Sequence, residues 1–514
     1  MIYPLACGKI IHVKVICLED TMNRYKKLLS DTAVYGMGTF ASKLLVFFLT
    51  RLYTECLTSA EYGQADLVAN IANLLIPLAA AGVCDGIFRF ALDRERDKRA
   101  VFSTGMFILC FSCAIFLVLS PLLWSFEYFR DYAWLIVVYV VFSNFHSSAA
   151  QYIRALDRTK LFAVQGIINT VLTISFNILF LVILPENSFL NGVHGYVLSI
   201  VIADLLVGTF LFVYAGLWKD ISRRYVDRSL AGDMLKYSLP LIPTTIFWWI
   251  TNVSDRYMLT FLLGDEGETV TGLYTAAYKI PTLLTLVTGV FSEAWQFSAV
   301  REDDPNERSR FYSTVFESFQ GIIFLGAVAV IALSRFFAGI LFADAYYTAW
   351  EFIPILVISS VFSSFVNFLS SVYVVKKRSV KSFITSMIGA LTNIALNLIL
   401  IPAGLEIGGG VVLFGAGLGA QGAAIATVAS YMIVFFIRAF DARRMLRFDM
   451  HSVKLTANGA VLIFSAASML CLGENVALLV ITQLVSIALV ALINARPLIT
   501  IATAVFKAIK SKKD

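Results

Sequence analysis

Between Asp31 and Arg496 the chain returns repeatedly to runs of about 20 residues with few or no charges, each long enough to cross ~30 Å of hydrocarbon as a helix. A bilayer core offers no partner for free backbone N–H and C=O groups, so only helices or closed barrels span it. Barrel strands would alternate in polarity at every second residue. These runs are continuously apolar, which predicts helices, and fourteen of them are counted. Composition agrees: 15% of residues are charged, against roughly a quarter in a soluble domain. The expected fold class is an all-α integral membrane protein.

Basic residues accumulate in loops on the cytoplasmic side, which tests the count. Alternate connections, beginning with the N-terminal segment, hold three to five Lys or Arg each, and the tail from Arg496 adds five, together 34 of the 41. Both ends are therefore expected in the cytoplasm, with the chain in a cell inner (cytoplasmic) membrane. The net charge of +6 is accounted for by this topology, so nucleic acid is not expected as a partner. Residues 1–21 fit no span and lack the apolar core of a signal peptide; a start at Met22 would make them a dispensable extension.

The predicted organisation is a cytoplasmic tail (1–30), a first lobe of six spans (31–217), a cytoplasmic linker (218–236), a second lobe of six spans (237–437), a loop (438–454), two further spans (455–495) and a basic cytoplasmic tail (496–514). The lobes repeat one another. A shift of 220 residues places Ser143 on Ser363, Phe145 on Phe365, Arg158 on Arg378 and Asn177 on Asn397, and Gly192 and Gly195 correspond to Gly419 and Gly422. Weaker echoes pair Arg51 with Arg256 and Gly63 with Gly272. Six helices return the chain to its starting side, so the lobes must be parallel, with a cleft between them where such transporters hold substrate.

Charges inside spans are functional candidates, because each costs several kcal/mol unless paired or facing water. Lys43 sits near mid-depth of the first span and Lys279 about two turns into the eighth. Both read either as helix-tethering ion pairs, with Asp66, Asp85, Asp204, Asp255 or Glu293 as partners, or as a cationic site for a phosphate-bearing headgroup, since an ammonium suits phosphate oxygens. Arg51, Arg89, Arg256 and Arg335 lie near span ends, where snorkelling is cheap. Arg256 adjoins Asp255 as a self-compensating pair. Asp204, mid-span with no cation nearby in sequence, suits a coupling-ion site or a hidden salt bridge. His146 reads as a hydrogen-bonded core histidine or a proton shuttle. Pro240, Pro243, Pro281 and Pro354 are expected to bend helices.

There is no phosphate-binding G-x-x-x-x-G-K-[ST] loop, no H-E-x-x-H zinc motif, and no connection long enough for a catalytic domain. Neither an ATPase nor another enzyme is expected, and no cofactor beyond a coupling ion, H+ or Na+. Seven scattered cysteines lack the spacing of a disulfide or zinc framework.

The start MNRYKKLLSDTAVYGMGTFASKLLVFF, followed by LTRLYTECLTSAEYGQADLV, resembles the opening of Wzx-type polysaccharide flippases. NLLIPLAAAGVCDGIFRFALD, SLPLIPTTIFWWITNVSDRYMLTFLLG and GLYTAAYKIPTLLTLVTGVFSEAWQFSAV resemble that family's second, seventh and eighth spans. The resemblance implies the multidrug/oligosaccharidyl-lipid/polysaccharide exporter superfamily, which includes MATE transporters and the lipid II flippase MurJ, and a V-shaped fold. It implies an undecaprenyl-pyrophosphate-linked oligosaccharide as substrate, flipped by alternating access for a capsule, O-antigen, exopolysaccharide or wall polymer. Membrane lipids, a polysaccharide polymerase and chain-length machinery are the implied partners.

By the same resemblance Lys43 in FASKLL and Lys279 in AAYKIP match basic residues lining the lipid II flippase cavity, and Arg51, Arg89 and Arg256 join them as substrate-binding candidates. Asp66, Asp204, Asp255 and Glu293 are the candidates for ion coupling. A third cavity cation of the lipid II flippase has no counterpart, the segment reading Ile76 and Pro77. Competing readings are a multidrug or organic-cation antiporter of the same fold, a lipid II flippase and a membrane glycan polymerase.

Overall fold

The computed structural model describes residues 47–93, 95–184, 188–289, 291, 305–376, 378–407, 411–472, 475–500 and 503. Lys43, Glu293, most of the first predicted span and most of the C-terminal tail lie outside these residues.

The first lobe begins with α1 (47–56). Thr58 and Glu61 then start α2 (Ser59–Ala79) by a reciprocal cap: the Glu61 N–H donates to Thr58 Oγ1 and the Thr58 N–H to the Glu61 carboxylate, satisfying two otherwise orphaned donors. A break at residues 80–82, where Gly82 has φ +66°, bends the chain by 55° into α3 (Val83–Ala91). Helices α4 (Lys98–Leu119), α5 (Ala133–Ala155), α6 (Thr159–Ile178) and α7 (Gly192–Tyr214) complete the lobe. The linker helix α8 (Arg228–Ser238) is capped by Asp227 and packs its Leu230 and Met234 against α3 and α4.

The second lobe comprises α9 (Ile242–Leu262), α10 (Gly267–Lys279), α11 (282–289), α12 (Pro305–Ala332), α13 (Ser334–Leu341), α14 (Ile353–Val375), α15 (Ser379–Leu400) and α16 (Gly419–Met445). Between α15 and α16 an antiparallel hairpin pairs β1 (Gly404–Ile407) with β2 (Val411–Phe414), the only sheet among the described residues. Helices α17 (Ser452–Cys471) and α18 (Val476–Ile493) pack on α12 and are joined by a reciprocal amide contact of Asn458 with Asn494.

Among the described residues ten helices are long and apolar enough to cross a membrane, and the bent α2–α3 pair makes an eleventh. Three of the fourteen predicted spans are not among them. The first lies mostly outside the described residues. The seventh, α9, carries Asp255 and Arg256, and the eighth is split after Lys279 into α10 and α11.

That split occurs at Pro281, whose ring removes a backbone donor. Pro243 and Pro354 stand instead in the first turns of α9 and α14, and Pro240 in a 3-10 turn before α9. In a first turn the missing N–H has no partner to lose, so these prolines start helices. Helix α16 also runs further than expected, to Met445, and buries Arg438 completely within it.

The internal repeat reappears as contacts. In the first lobe the Tyr152 hydroxyl donates to Asp220 Oδ2 at 3.2 Å, and in the second Tyr373 donates to Asp441 Oδ2 at 3.2 Å, with the same spacing of 68 residues. The repeated glycines also share a task. A Cβ on Gly195 would stand 2.5 Å from Leu190 O, and one on Gly422 2.6 Å from Leu400 O.

The lobes meet where α2 crosses α10. Here the two weakly matched glycines face one another: a Cβ on Gly63 would lie 2.5 Å from Glu268 O and one on Gly272 1.8 Å from Ser59 O. Such backbone contact is what small residues permit between membrane helices. Three side chains of the second lobe donate to first-lobe carbonyls around it: Trp249 to Asn70 O (2.9 Å), Tyr257 to Leu67 O (2.7 Å) and Tyr346 to Leu57 O (2.9 Å). The lobes are thus sealed together along the end carrying the α1–α2 and α9–α10 connections.

Candidate functional site

Just below this seal, α2, α9 and α10 bring together four of the charges singled out in the sequence. Asp66 accepts from Asn70 Nδ2 at 2.8 Å and from the Thr275 hydroxyl at 3.4 Å. Arg256 Nε lies 3.4 Å and Lys279 Nζ 3.9 Å from its two oxygens. Neither is a well-formed hydrogen bond: Arg256 Nε has no hydrogen-bond partner, and 3.9 Å exceeds hydrogen-bond range. The guanidinium lies over the Tyr278 ring, 4.7 Å from its centroid, where the face of an aromatic ring attracts a cation.

Asp255 and Arg256 are not the side-chain pair that adjacency suggested. The Asp255 carboxylate accepts from the Arg256 backbone N–H (3.0 Å), the Tyr274 hydroxyl (2.7 Å) and Thr427 Oγ1 (3.3 Å), tying α9 to α10 and α16, while the Arg256 side chain turns toward α2. Asp255 is fully buried and Arg256 nearly so, whereas the Lys279 side chain is 27% exposed. Lys279 is the last residue of α10, so the break at Pro281 sets its amine at a helix end beside open space.

That space is a chamber of about 260 Å³ between the lobes, walled by Tyr53 of α1, Asn169, Thr170 and Thr173 of α6, Tyr196 of α7 and Lys279. A second chamber, of about 400 Å³, lies within the second lobe. Trp248 and Asn252 of α9, Tyr278 of α10, Ser359, Ser360, Ser363 and Asn367 of α14 and Tyr431 of α16 line it, with Thr282 and Thr285. A larger hollow, about 850 Å³, opens among loops around Arg99, Lys219 and Asp220; Arg99 and Asp220 are paired at 3.2 Å, and the α2–α10 charges take no part in it.

Asp204 occupies a separate polar network in the first lobe. One carboxylate oxygen accepts from His146 Nδ1 (2.9 Å) and Asn169 Nδ2 (2.9 Å), the other from the Ser143 hydroxyl. His146 Nε2 contacts Gln165 Oε1 at 2.7 Å, so the ring bridges α7 and α6. The remaining candidates are elsewhere. Arg51 reaches Glu55 (2.6 Å) and the Phe342 carbonyl (2.5 Å), Arg89 is exposed on α3, and Arg335 lies over Trp350, 4.1 Å from the ring centroid. Lys43 and Glu293 are outside the described residues.

Charge alone did not point to the uncharged wall of the second chamber. Its signal is a polar stripe in an otherwise apolar span: Ser359, Ser360, Ser363 and Asn367 recur at three- and four-residue intervals, on one helix face. Tyr274 and Thr427, which hold Asp255, carry no such mark. Among the described residues no cluster of His, Cys, Asp and Glu is arranged to hold a metal ion.

Solved structures with the same fold are transporters. The lipid II flippase MurJ in an inward closed conformation superposes with a TM-score of 0.65 at 15% identity, covering 91% of this chain and all (100%) of that one. An outward-facing multidrug resistance MATE family transporter of the MOP superfamily gives 0.56 at 16% identity, covering 81% and 94%. A MOP superfamily transporter from Pyrococcus furiosus gives 0.53 at 15% identity, covering 81% and 96%. No curated protein sequence matches the chain. At these identities the superpositions establish the fold: two parallel lobes of membrane helices, with α17 and α18 added. Residues 28–297, more than half of the chain, match the polysaccharide biosynthesis protein family, and this multi-pass membrane protein belongs to it.

Proposed function

We propose that the protein is a flippase that moves undecaprenyl-pyrophosphate-linked oligosaccharide from the cytoplasmic to the outer leaflet of the cell inner membrane, with both termini in the cytoplasm. The observation that carries this reading is the Lys279 amine, which lies on the wall of an inter-lobe chamber and is held only loosely by Asp66, at 3.9 Å. An ammonium in a site that excludes most solvent attracts phosphate oxygens strongly. The described charges Asp66, Asp255, Arg256 and Lys279 sum to zero, so a diphosphate must draw Lys279 away from Asp66, with Lys43 as the second cation supplied by the first span.

Such an exchange gives the cycle its coupling. When Lys279 turns to the diphosphate, Asp66 loses a neighbouring cation and takes up H+ or Na+; when the headgroup leaves, Lys279 returns. The prenyl tail stays in lipid beside α17 and α18, and the lobes rock about the α2–α10 crossing to expose the chamber on alternate sides. Product is passed to a polymerase and chain-length machinery. The chemistry is translocation, with no covalent step.

Reconstituted translocation of a defined lipid-linked oligosaccharide tests the reading. Lys279→Ala is expected to reduce flipping by about tenfold or more, the loss of a hydrogen bond to a charged group, with Lys279→Arg keeping a measurable fraction and protein levels equal. Wild-type rates in the alanine variant would remove Lys279 from the mechanism.

A further inference from the structure

The second chamber has a composition that headgroup phosphate does not explain. Its ten lining residues carry seven hydroxyls, two carboxamides and an indole, with no aliphatic and no charged side chain. At about 400 Å³ it falls within the ~300–1,000 Å³ of small-molecule sites, and its apolar surface comes from the rings of Trp248, Tyr278 and Tyr431 and from threonine methyls, interleaved with hydroxyls and carboxamides. Inside a membrane protein uncharged polar groups need partners, and some here are already committed to the protein. Asn252 donates to Trp248 O at 2.6 Å and accepts from the Tyr431 hydroxyl at 2.6 Å. Asn367, by contrast, is exposed to the chamber and has no protein hydrogen-bond partner among the described residues.

Two cations stand behind this wall: Arg256, whose guanidinium lies over the Tyr278 ring at 4.7 Å from its centroid and faces Asp66, and Arg438, beside Trp248 and Tyr431, whose guanidinium is engaged. It donates to Thr385 Oγ1 (2.9 Å), Ser370 Oγ (2.5 Å), Ser386 Oγ (3.0 Å) and the carbonyls of Val366 and Ser382. An organic cation entering the chamber would find no carboxylate on its wall, and an aliphatic ligand would leave the Asn367 amide unpaired and the free acceptor positions of the wall hydroxyls unused. A ligand dense in hydroxyl groups with one apolar ring face satisfies both the hydrogen-bonding groups and the flat surfaces of Trp248 and Tyr278. The two chambers are also contiguous in sequence: Tyr278 faces the second and Lys279 the first.

We infer that the second-lobe chamber is a glycan subsite, which holds uncharged sugar residues of the substrate while the diphosphate lies at Lys279. The inference rests on the flippase reading and adds to it where the specificity for sugar resides. Asn367 supplies a hydrogen bond and Trp248 a stacking face. The phosphate site then reads the feature common to all lipid-linked substrates, and the chamber reads the glycan.

The test measures binding of three probes to the full-length protein in lipid nanodiscs: undecaprenyl pyrophosphate, the same lipid bearing a neutral disaccharide, and tetraphenylphosphonium as an organic cation. Asn367→Ala and Trp248→Leu are each compared with wild type, and thermal unfolding of each variant is recorded so that only folded protein is scored. The expected result is tighter binding of the glycosylated lipid than the bare lipid by wild type, with about a tenfold loss of that advantage in each variant and bare-lipid affinity unchanged. Equal affinity of wild type for both lipids would overturn the subsite while leaving the flippase reading standing. Binding of neither lipid would overturn the flippase reading itself. Binding of the cation that depends on Trp248 and not on Asn367 would overturn the subsite in favour of an aromatic cation pocket. If both variants unfold, Asn367→Ser and Trp248→Phe are measured instead, and a glycan advantage equal to wild type in both would count against the proposal.

Discussion

Two buried carboxylates, Asp204 in the first lobe and Asp66 at the junction of the lobes, are handled in opposite ways. Asp204 has donors on both oxygens, from Ser143, His146 and Asn169, on helices of a single lobe. Asp66 has a close bond only to Asn70 (2.8 Å), while its two cations stay at 3.4 and 3.9 Å and come from the other lobe. A carboxylate with its acceptor capacity filled inside one bundle fixes that bundle. One with loosely held partners across the junction of two lobes leaves those partners exchangeable. The difference teaches that the same residue type serves as a fastener or, as proposed for Asp66, as a switch, according to how completely its oxygens are satisfied.

The sharpest way to break this comparison is Asp66→Ala. It leaves Arg256 and Lys279 without their shared carboxylate, and an uncompensated buried charge is expected to cost ~3–5 kcal/mol. Thermal unfolding in detergent reads the loss directly. A wild-type melting temperature would mean that the cations are solvated some other way and that Asp66 is no switch.

Gly272→Ala probes the crossing that places the switch. Its new Cβ would lie 1.8 Å from Ser59 O, so the helices must part, at an expected ~1–3 kcal/mol. With a reporter Ser59→Cys, thiol labelling from the side of the α1–α2 connection should rise as the seal opens. Labelling at the rate of the reporter alone would place the seal elsewhere.

Asp204→Asn is the mildest change. The amide keeps part of the network, so a loss of ~1–2 kcal/mol is expected; under the proposed coupling at Asp66, flipping by this variant still follows an H+ or Na+ gradient. A folded variant whose flipping no longer follows the gradient would move ion coupling into the first lobe and reverse the assignment of the two carboxylates.

Much of the scaffold was legible because lipid imposes one rule on every span. Long apolar runs and basic loops announced the helices, and the repeated glycines at 195 and 422 announced two alike lobes. Pro243 and Pro354 start α9 and α14 where bends are expected, because a proline at a helix start and a proline within one look the same until the boundary is known. Arg438 was counted with the loop charges because nothing local showed that α16 continues to Met445.

By itself the sequence determined that this chain is a bundle of membrane helices in two related halves and, Arg438 excepted, which ionisable residues enter the described spans, because burial in hydrocarbon penalises each residue one at a time. Only the tertiary structure decided which of those charges meet. Arg256 turns from its neighbour Asp255 to Asp66 on another lobe, Asp204 finds His146, and Lys279 alone among the described cations of this cluster opens onto a chamber. Partnership depends on helix rotation and lobe packing, which are set by contacts remote in sequence and leave no periodicity to read.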